Sequence, residues 1–206
     1  MKNDLFLFHA TDQVDLKSSI YKALDAHLQM VEVLRTDERL VGVLEETSEA
    51  IASVLQAGGK VLFCGNGGSA ADAQHLAAEL SGRFYKQRKA LFAEALHVNT
   101  SFLTAVANDY GFEEVFARAV EAQGKRGDVL VALSTSGTSP NVLRACEKAK
   151  DLGLKVIGLS GANGGNMKPL CDWFIQVPST DTARIQEGHL LIGHLLCQLV
   201  EQRLFS

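Results

Sequence analysis

Four short apolar runs, each ending in a turn rich in glycine or hydroxyls, constrain this 206-residue chain more than any other feature. Val61-Leu62-Phe63-Cys64 runs into Gly65-Asn66-Gly67-Gly68-Ser69. Val129 to Leu133 runs into Ser134-Thr135-Ser136-Gly137-Thr138-Ser139-Pro140. Lys155 to Leu159 ends at Ser160-Gly161-Ala162-Asn163-Gly164-Gly165, and Trp173 to Val177 at Pro178-Ser179-Thr180-Asp181. Continuous apolar strands alternating with helices predict an α/β fold, a doubly wound parallel sheet covered on both faces. Leu91 to Val98 is a candidate further strand. Helices are expected over Ala70–Arg83, Thr100–Ala107, Glu113–Gln123 and Asn141–Leu152, with a long final one to about Arg203. In such a sheet the loops after the strands gather along one edge, where these folds bind ligands.

Before the first strand the spacing is helical. Val14, Ile20, Tyr21, Leu24, Leu28, Val31 and Leu34 recur at intervals of three and four. Thr36 is expected to cap a second helix with Asp37 and Glu38 in its first turn. That helix carries Leu40, Val43, Leu44, Ile51, Val54 and Leu55, and Gly58-Gly59 stops it. The chain reads as a single unit, residues 1–206, with an N-terminal helical arm over 1–58 and an α/β core over 59–206. An arm with apolar stripes suits contact with another subunit.

Composition narrows the function. Hydrophobic residues at 47% and charged residues at 21% exclude disorder. A net charge of −4 argues against a nucleic-acid surface or an anionic-membrane binder. The longest charge-free stretch, Val129 to Leu143, is too short and too polar to cross a bilayer. The apolar run Leu5 to Phe8 is too short for a secretory signal. Cys64, Cys146, Cys171 and Cys197 are widely spaced without a CxxC pair; Cys64 and Cys197 lie in apolar runs and are expected to be buried small hydrophobes. The expectation is a cytoplasmic protein.

Two of the loops have chemistry suited to an anion. Gly65 to Ser69 precedes a helix, so main-chain amides and the helix N-terminus can surround a phosphate. The Ser134 to Ser139 stretch offers hydroxyls, with Pro140 at a helix start. Each loop alone is also what any strand-to-helix junction uses; two on one edge favour a phosphorylated ligand. Gly-x-Gly-x-x-Gly fails at Ala70, and no Gly-Lys-Ser/Thr occurs, so a small phosphorylated metabolite fits better than a dinucleotide or nucleoside triphosphate.

His75 and Glu79, four residues apart, share one helix face. Gln186 and His194 are eight apart on the last helix, about 80° from each other in rotation. Taken singly, His194 reads as a packed core histidine and His75–Glu79 as an exposed pair. Together, two His, a Glu and a Gln could hold a divalent metal, and a His/Glu pair could move protons.

Cys64 to His75, Asn108-Asp109-Tyr110-Gly111, Ser134-Thr135-Ser136-Gly137 and Arg184-Ile185-Gln186-Glu187-Gly188-His189 occur in an order that resembles the phosphoheptose isomerases, sugar-isomerase (SIS) domain proteins, from about residue 11 to the C-terminus. The resemblance implies an SIS fold, a homotetramer with active sites between subunits, and interconversion of sedoheptulose 7-phosphate and D-glycero-D-manno-heptose 7-phosphate. That is the first step toward nucleotide-activated heptose for glycans such as lipopolysaccharide or capsule. It implies that Ser69, Ser134, Thr135, Ser136 and Ser139 hold the phosphate, and that Asn66, Gly67, Gly68, Arg83, Asn108 and Asp109 line the sugar site, with Glu79 and Gln186 also touching substrate. His75, Glu79, Gln186 and His194 would hold one zinc ion per subunit.

Moving a carbonyl between C2 and C1 requires a cis-enediol, one base at the carbons and an acid/base at the oxygens. Glu79 is expected at the carbons and His194 at the oxygens. Between Arg88 and Leu96 the chain departs from relatives, which often carry prolines there. Three rivals remain: a non-catalytic SIS protein that binds the bacterial replication initiator, a sugar-phosphate sensor, and an isomerase of another ketose phosphate. The presence of both Glu79 and His194 discriminates against the first, whose kind lacks the acid/base pair. His9, His27 and His97 have no matched role and are expected at the surface or in packing.

Overall fold

The Asp15 side chain accepts the Ser18 amide at 3.1 Å and opens the first helix, α1 (Leu16–Thr36), in the computed structural model, which describes residues 15–205. Val14 lies outside those residues. The expected Thr36 cap is corrected by one position. Thr36 is still helical, its hydroxyl bonded back to the Glu32 and Val33 carbonyls, and Asp37 caps α2 (Glu38–Gln56) by accepting the Arg39 amide at 3.0 Å. A threonine that satisfies its own preceding turn is not free to cap the next helix. Gly58, at φ +80°, lets the chain leave α2 for the sheet.

The sheet has five parallel strands: β1 (Val61–Cys64), β2 (Ala93–Ala95), β3 (Val129–Ser134), β4 (Lys155–Ser160) and β5 (Trp173–Gln176). They lie in the order β2-β1-β3-β4-β5. The candidate strand over Leu91–Val98 contracts to Ala93–Ala95. Its neighbour β1 offers partners only at Val61, Leu62 and Phe63 before it turns into the glycine loop. The helices between strands are α3 (Gly68–Ser81), α4 (Thr100–Tyr110), α5 (Val115–Gln123) and α6 (Pro140–Leu152), and α7 (Thr182–Leu204) follows β5. The first residues expected in α5 form a separate 3-10 turn, Phe112–Glu114.

Alternate strand residues face opposite ways, so one sheet feeds two cores. Leu62, Leu130, Ala132 and Val156 pack with Phe116, Val120, Val142 and Cys146 of α5 and α6. Phe63, Val131, Leu133 and Ile157 pack with Ile51, Leu76, Ile192 and Val200 of α2, α3 and α7. Cys64, Cys146 and Cys197 are buried in these cores, and none of the four cysteines is in a disulfide. Only the end of α1 joins the core, through Met30 and Leu34; Leu16, Ile20, Tyr21, Leu24 and Leu28 leave an apolar stripe exposed. No described helix is long and apolar enough to cross a membrane.

The segment between α3 and β2 has no regular structure, and one buried carboxylate organises it. Glu201 of α7 accepts the amides of Phe84 (2.9 Å), Tyr85 (2.8 Å) and Lys86 (3.0 Å) and the Arg88 Nε at 2.7 Å. Both charged side chains are 1% exposed. Arg88 then reaches the carbonyls of Glu79 and Leu80 at 2.8 and 2.9 Å, satisfying the C-terminus of α3. Burial opposes ionisation of Glu201, but three amides and the guanidinium outweigh it and hold the carboxyl below its ordinary value of 4.5.

Arg88→Met strands a buried carboxylate and is expected to cost about 3–5 kcal/mol, and adding Glu201→Leu does not restore wild-type stability, because the Phe84, Tyr85 and Lys86 amides then lose their acceptor. The thermal midpoint at fixed protein concentration checks both. A depressed carboxyl contributes fully above its unfolded value and loses that contribution as pH falls through the folded one. The stability gap between wild type and Glu201→Gln therefore narrows below about pH 4.5.

Candidate functional site

Parallel pairing of β1 with β3 sets Cys64 beside Ala132, so the glycine loop and the hydroxyl loop emerge side by side. Asn66 and Asn141 then exchange two amide hydrogen bonds, at 2.8 and 2.9 Å, which lock the first loop to the start of α6. The Asn66 side chain, expected at the sugar, is thus also the clasp between loops. Asn141 was not among the sequence candidates, because an Asn after Pro140 reads as ordinary helix-start chemistry.

In the hydroxyl loop the Ser134 Oγ lies 3.1 Å from the Ser139 Oγ and accepts the Gly137 amide at 3.1 Å. Thr138 donates its hydroxyl to the Ser136 Oγ at 2.9 Å. Ser69 is buried in the first turn of α3, and Thr135 and Ser136 open onto a cavity of about 160 Å³ shared with Asn163, Ser179, Thr180 and Thr182. The cavity is lined by neutral hydroxyls, a lining chemistry suited to a phosphate, while Ser69, Ser134 and Ser139 lie outside its lining. Gly137 sits at φ +67°, and a Cβ there would land on the Gly164 carbonyl, so the loop after β4 buttresses the hydroxyl loop.

Across the glycine loop, α3 and α7 bring three of the four expected ligands together. The Nε2 atoms of His75 and His194 are 2.9 Å apart, and a Glu79 carboxylate oxygen lies 3.3 Å from the His75 Nε2. All three donor atoms fall within 4.8 Å of one another. Two imidazole nitrogens and a carboxylate at such spacing fit a zinc ion, whose tetrahedral ligands stand roughly 3.3 Å apart. Gln186, two turns before His194, lays its amide against Gly68, where a Cβ would come within 2.5 Å of the Gln186 Nε2. The Phe84 ring stacks on His194 with centroids 5.4 Å apart and planes at 26°. Burial and the neighbouring His75 pull the His194 ring below the ordinary imidazole value, and Glu79 pulls it back.

Other candidates stand apart. Asn108 and Asp109 are exposed at the end of α4, bonded to each other at 2.8 Å, and Arg83 is exposed after α3. His27 lies 2.7 Å from the Glu187 carboxylate, a surface tie between α1 and α7. His97 is half-buried, and burial lowers its pKa; His9 lies outside the described residues. His189, fully buried with neither ring nitrogen partnered among the described residues, is held neutral by burial, its pKa lowered to about 4.

The SIS domain family profile matches residues 27–161. A phosphoheptose isomerase of Rhodospirillum rubrum is 60% identical over 163 residues, covering 79% of this chain and 87% of the relative. Phosphoheptose isomerase 1 of Campylobacter jejuni is 56% identical over 82% of this chain and 91% of its own. Among solved structures, the phosphoheptose isomerase of Neisseria gonorrhoeae superposes with a TM-score of 0.85 at 40% identity, covering 91% of this chain and 99% of that one.

Gly137→Ala is expected to cost about 1–3 kcal/mol through strain at positive φ and to weaken sugar-phosphate binding. Thermal unfolding with and without ligand checks this: the variant melts lower and gains less from the ligand than wild type does.

Proposed function

The chain belongs to the phosphoheptose isomerase family of SIS-domain proteins, and from that premise we propose that it interconverts sedoheptulose 7-phosphate and D-glycero-D-manno-heptose 7-phosphate through an enediol, at the site between the glycine loop, the hydroxyl loop and the His75–Glu79–His194 cluster. The observation that carries this reading is that a carboxylate and two imidazoles meet within 4.8 Å where α3, the helix that starts at the glycine loop, packs on α7. An initiator-binding protein or a sensor has no need of that pair.

Ser69, Ser134, Thr135, Ser136 and Ser139 hold the phosphate, with the α3 and α6 N-termini contributing. Asn66, Gly67 and Gly68 form the wall beside the sugar, with Glu79 and Gln186 facing it; Arg83, Asn108 and Asp109, exposed on the single chain, would complete such a site between subunits. Glu79 takes the proton from one carbon and returns it to its neighbour. His194 moves the proton between the two oxygens, a task suited to an imidazole, which can both give and take a proton near neutral pH. His75, Glu79, Gln186 and His194 would hold a zinc ion, which supplies Lewis-acid polarisation of a carbonyl.

The same reading includes a homotetramer of single SIS units, in which the arm over residues 1–58 serves assembly. The exposed stripe Ile20, Leu24 and Leu28 supports it, since a row of large apolar side chains on one helix face needs a cover. A phosphorylated sugar and four unpaired cysteines suit a cytoplasmic enzyme. Its product leads toward nucleotide-activated heptose for lipopolysaccharide or capsule.

The test is isomerisation of sedoheptulose 7-phosphate by wild type, Glu79→Gln and His194→Gln, each with and without added zinc. Wild type turns over, and each folded variant loses about 10²–10⁴-fold in kcat. A folded wild-type tetramer that binds the sugar phosphate without converting it would overturn the isomerase reading in favour of a sensor.

A further inference from the structure

We infer that Phe84, held in place by Glu201, is a positioning residue for His194, and that the Arg88–Glu201 pair fixes the two catalytic helices against each other; this deepens the isomerase reading and rests on it. Glu201 follows His194 by seven residues on α7, so the two side chains leave nearly the same helix face, about 10 Å apart along the axis. From there the carboxylate grips the amides of Phe84, Tyr85 and Lys86. A chain bonded at three consecutive amides has little freedom left, and the Phe84 ring is set on the His194 imidazole at a 26° inclination. The His75 ring meets His194 from another direction, with centroids 5.1 Å apart and planes at 59°.

The same buried pair reaches the other half of the catalytic couple. Arg88 bonds Glu201 at 2.7 Å and the Glu79 main-chain carbonyl at 2.8 Å. Glu79 of α3 and His194 of α7 are therefore joined by an unbroken path of short hydrogen bonds and one aromatic stack. An offset stack restricts rotation of the imidazole plane and keeps water off one face. Proton transfer to an oxygen requires that plane to point at the oxygen, and small errors in such alignment are costly. Neither Phe84 nor Glu201 needs to touch the sugar for this.

The experiment compares the assembled wild type with Phe84→Leu, Phe84→Tyr and Glu201→Gln. For each it reads the melting midpoint, kcat, KM and the imidazole proton signals of His194, assigned by their absence in His194→Gln. In Phe84→Leu the melting midpoint stays near wild type, and the His194 signals lose the displacement that an aromatic ring current imposes. Its kcat falls on the order of tenfold to a hundredfold while KM stays near the wild-type value. Phe84→Tyr restores both the signals and kcat. Glu201→Gln melts lower and shows the same change in the His194 signals. A folded Phe84→Leu with wild-type kcat overturns the inference, as does a kcat loss without any change at the His194 ring. If wild type itself gives no turnover, the isomerase reading fails, and unchanged His194 signals in Phe84→Leu would separately overturn the positioning of the ring.

Discussion

Parallel pairing between β1 and β3 is the constraint on which the rest of the molecule depends. Two strands that run the same way deliver their following loops to the same edge, and here those are the glycine loop and the hydroxyl loop. The reciprocal Asn66–Asn141 amide pair then converts proximity into a fixed spacing. The Gly137 contact with Gly164 brings in the loop after β4, so three strand ends define one wall. None of these contacts would form if the register slipped by a residue, because every strand residue would change face.

The His75–Glu79–His194 cluster is built differently, from helices rather than strand ends. Both α3 and α7 bury a stripe against the sheet, Leu76 and Leu80 on one and Ile192, Leu196 and Val200 on the other. Packing those stripes leaves His75, Glu79 and His194 at the seam where the two helices meet. Gly193 sits at that seam too, where a Cβ would come within 2.5 Å of the Leu76 side chain, so the helices approach as closely as glycine permits. The polar counterpart of this packing is the buried Arg88–Glu201 pair. Its desolvation is offset by seven main-chain partners, three amides on the carboxylate and the Glu79, Leu80, Gly82 and Lys89 carbonyls on the guanidinium.

The strands and their loops were legible in the sequence because an apolar run bounded by glycines has few other uses. The cluster was legible because His75–Glu79 and Gln186–His194 have helical spacing, although spacing alone could not bring the two helices together. Glu201 was missed: near the end of a chain a carboxylate reads as solvated surface. Its signal was its position four residues after Cys197 and eight after Gly193, on the buried stripe of α7. Asn108 and Asp109 illustrate the reverse case, since the motif singled them out while the single chain leaves them exposed. The exposed Ile20–Leu24–Leu28 stripe is the same kind of remainder, a helical periodicity that the described residues leave uncovered.

The central claim is that a proton, not a hydride, moves between adjacent carbons through Glu79. Conversion of sedoheptulose 7-phosphate in deuterated water, followed by mass spectrometry of the aldose product, tests it most directly. The account predicts product carrying solvent deuterium on carbon, because a carboxylate whose side chain is 23% exposed exchanges its proton with solvent during the lifetime of the enediol. Product formed at full rate without any deuterium on carbon would contradict it.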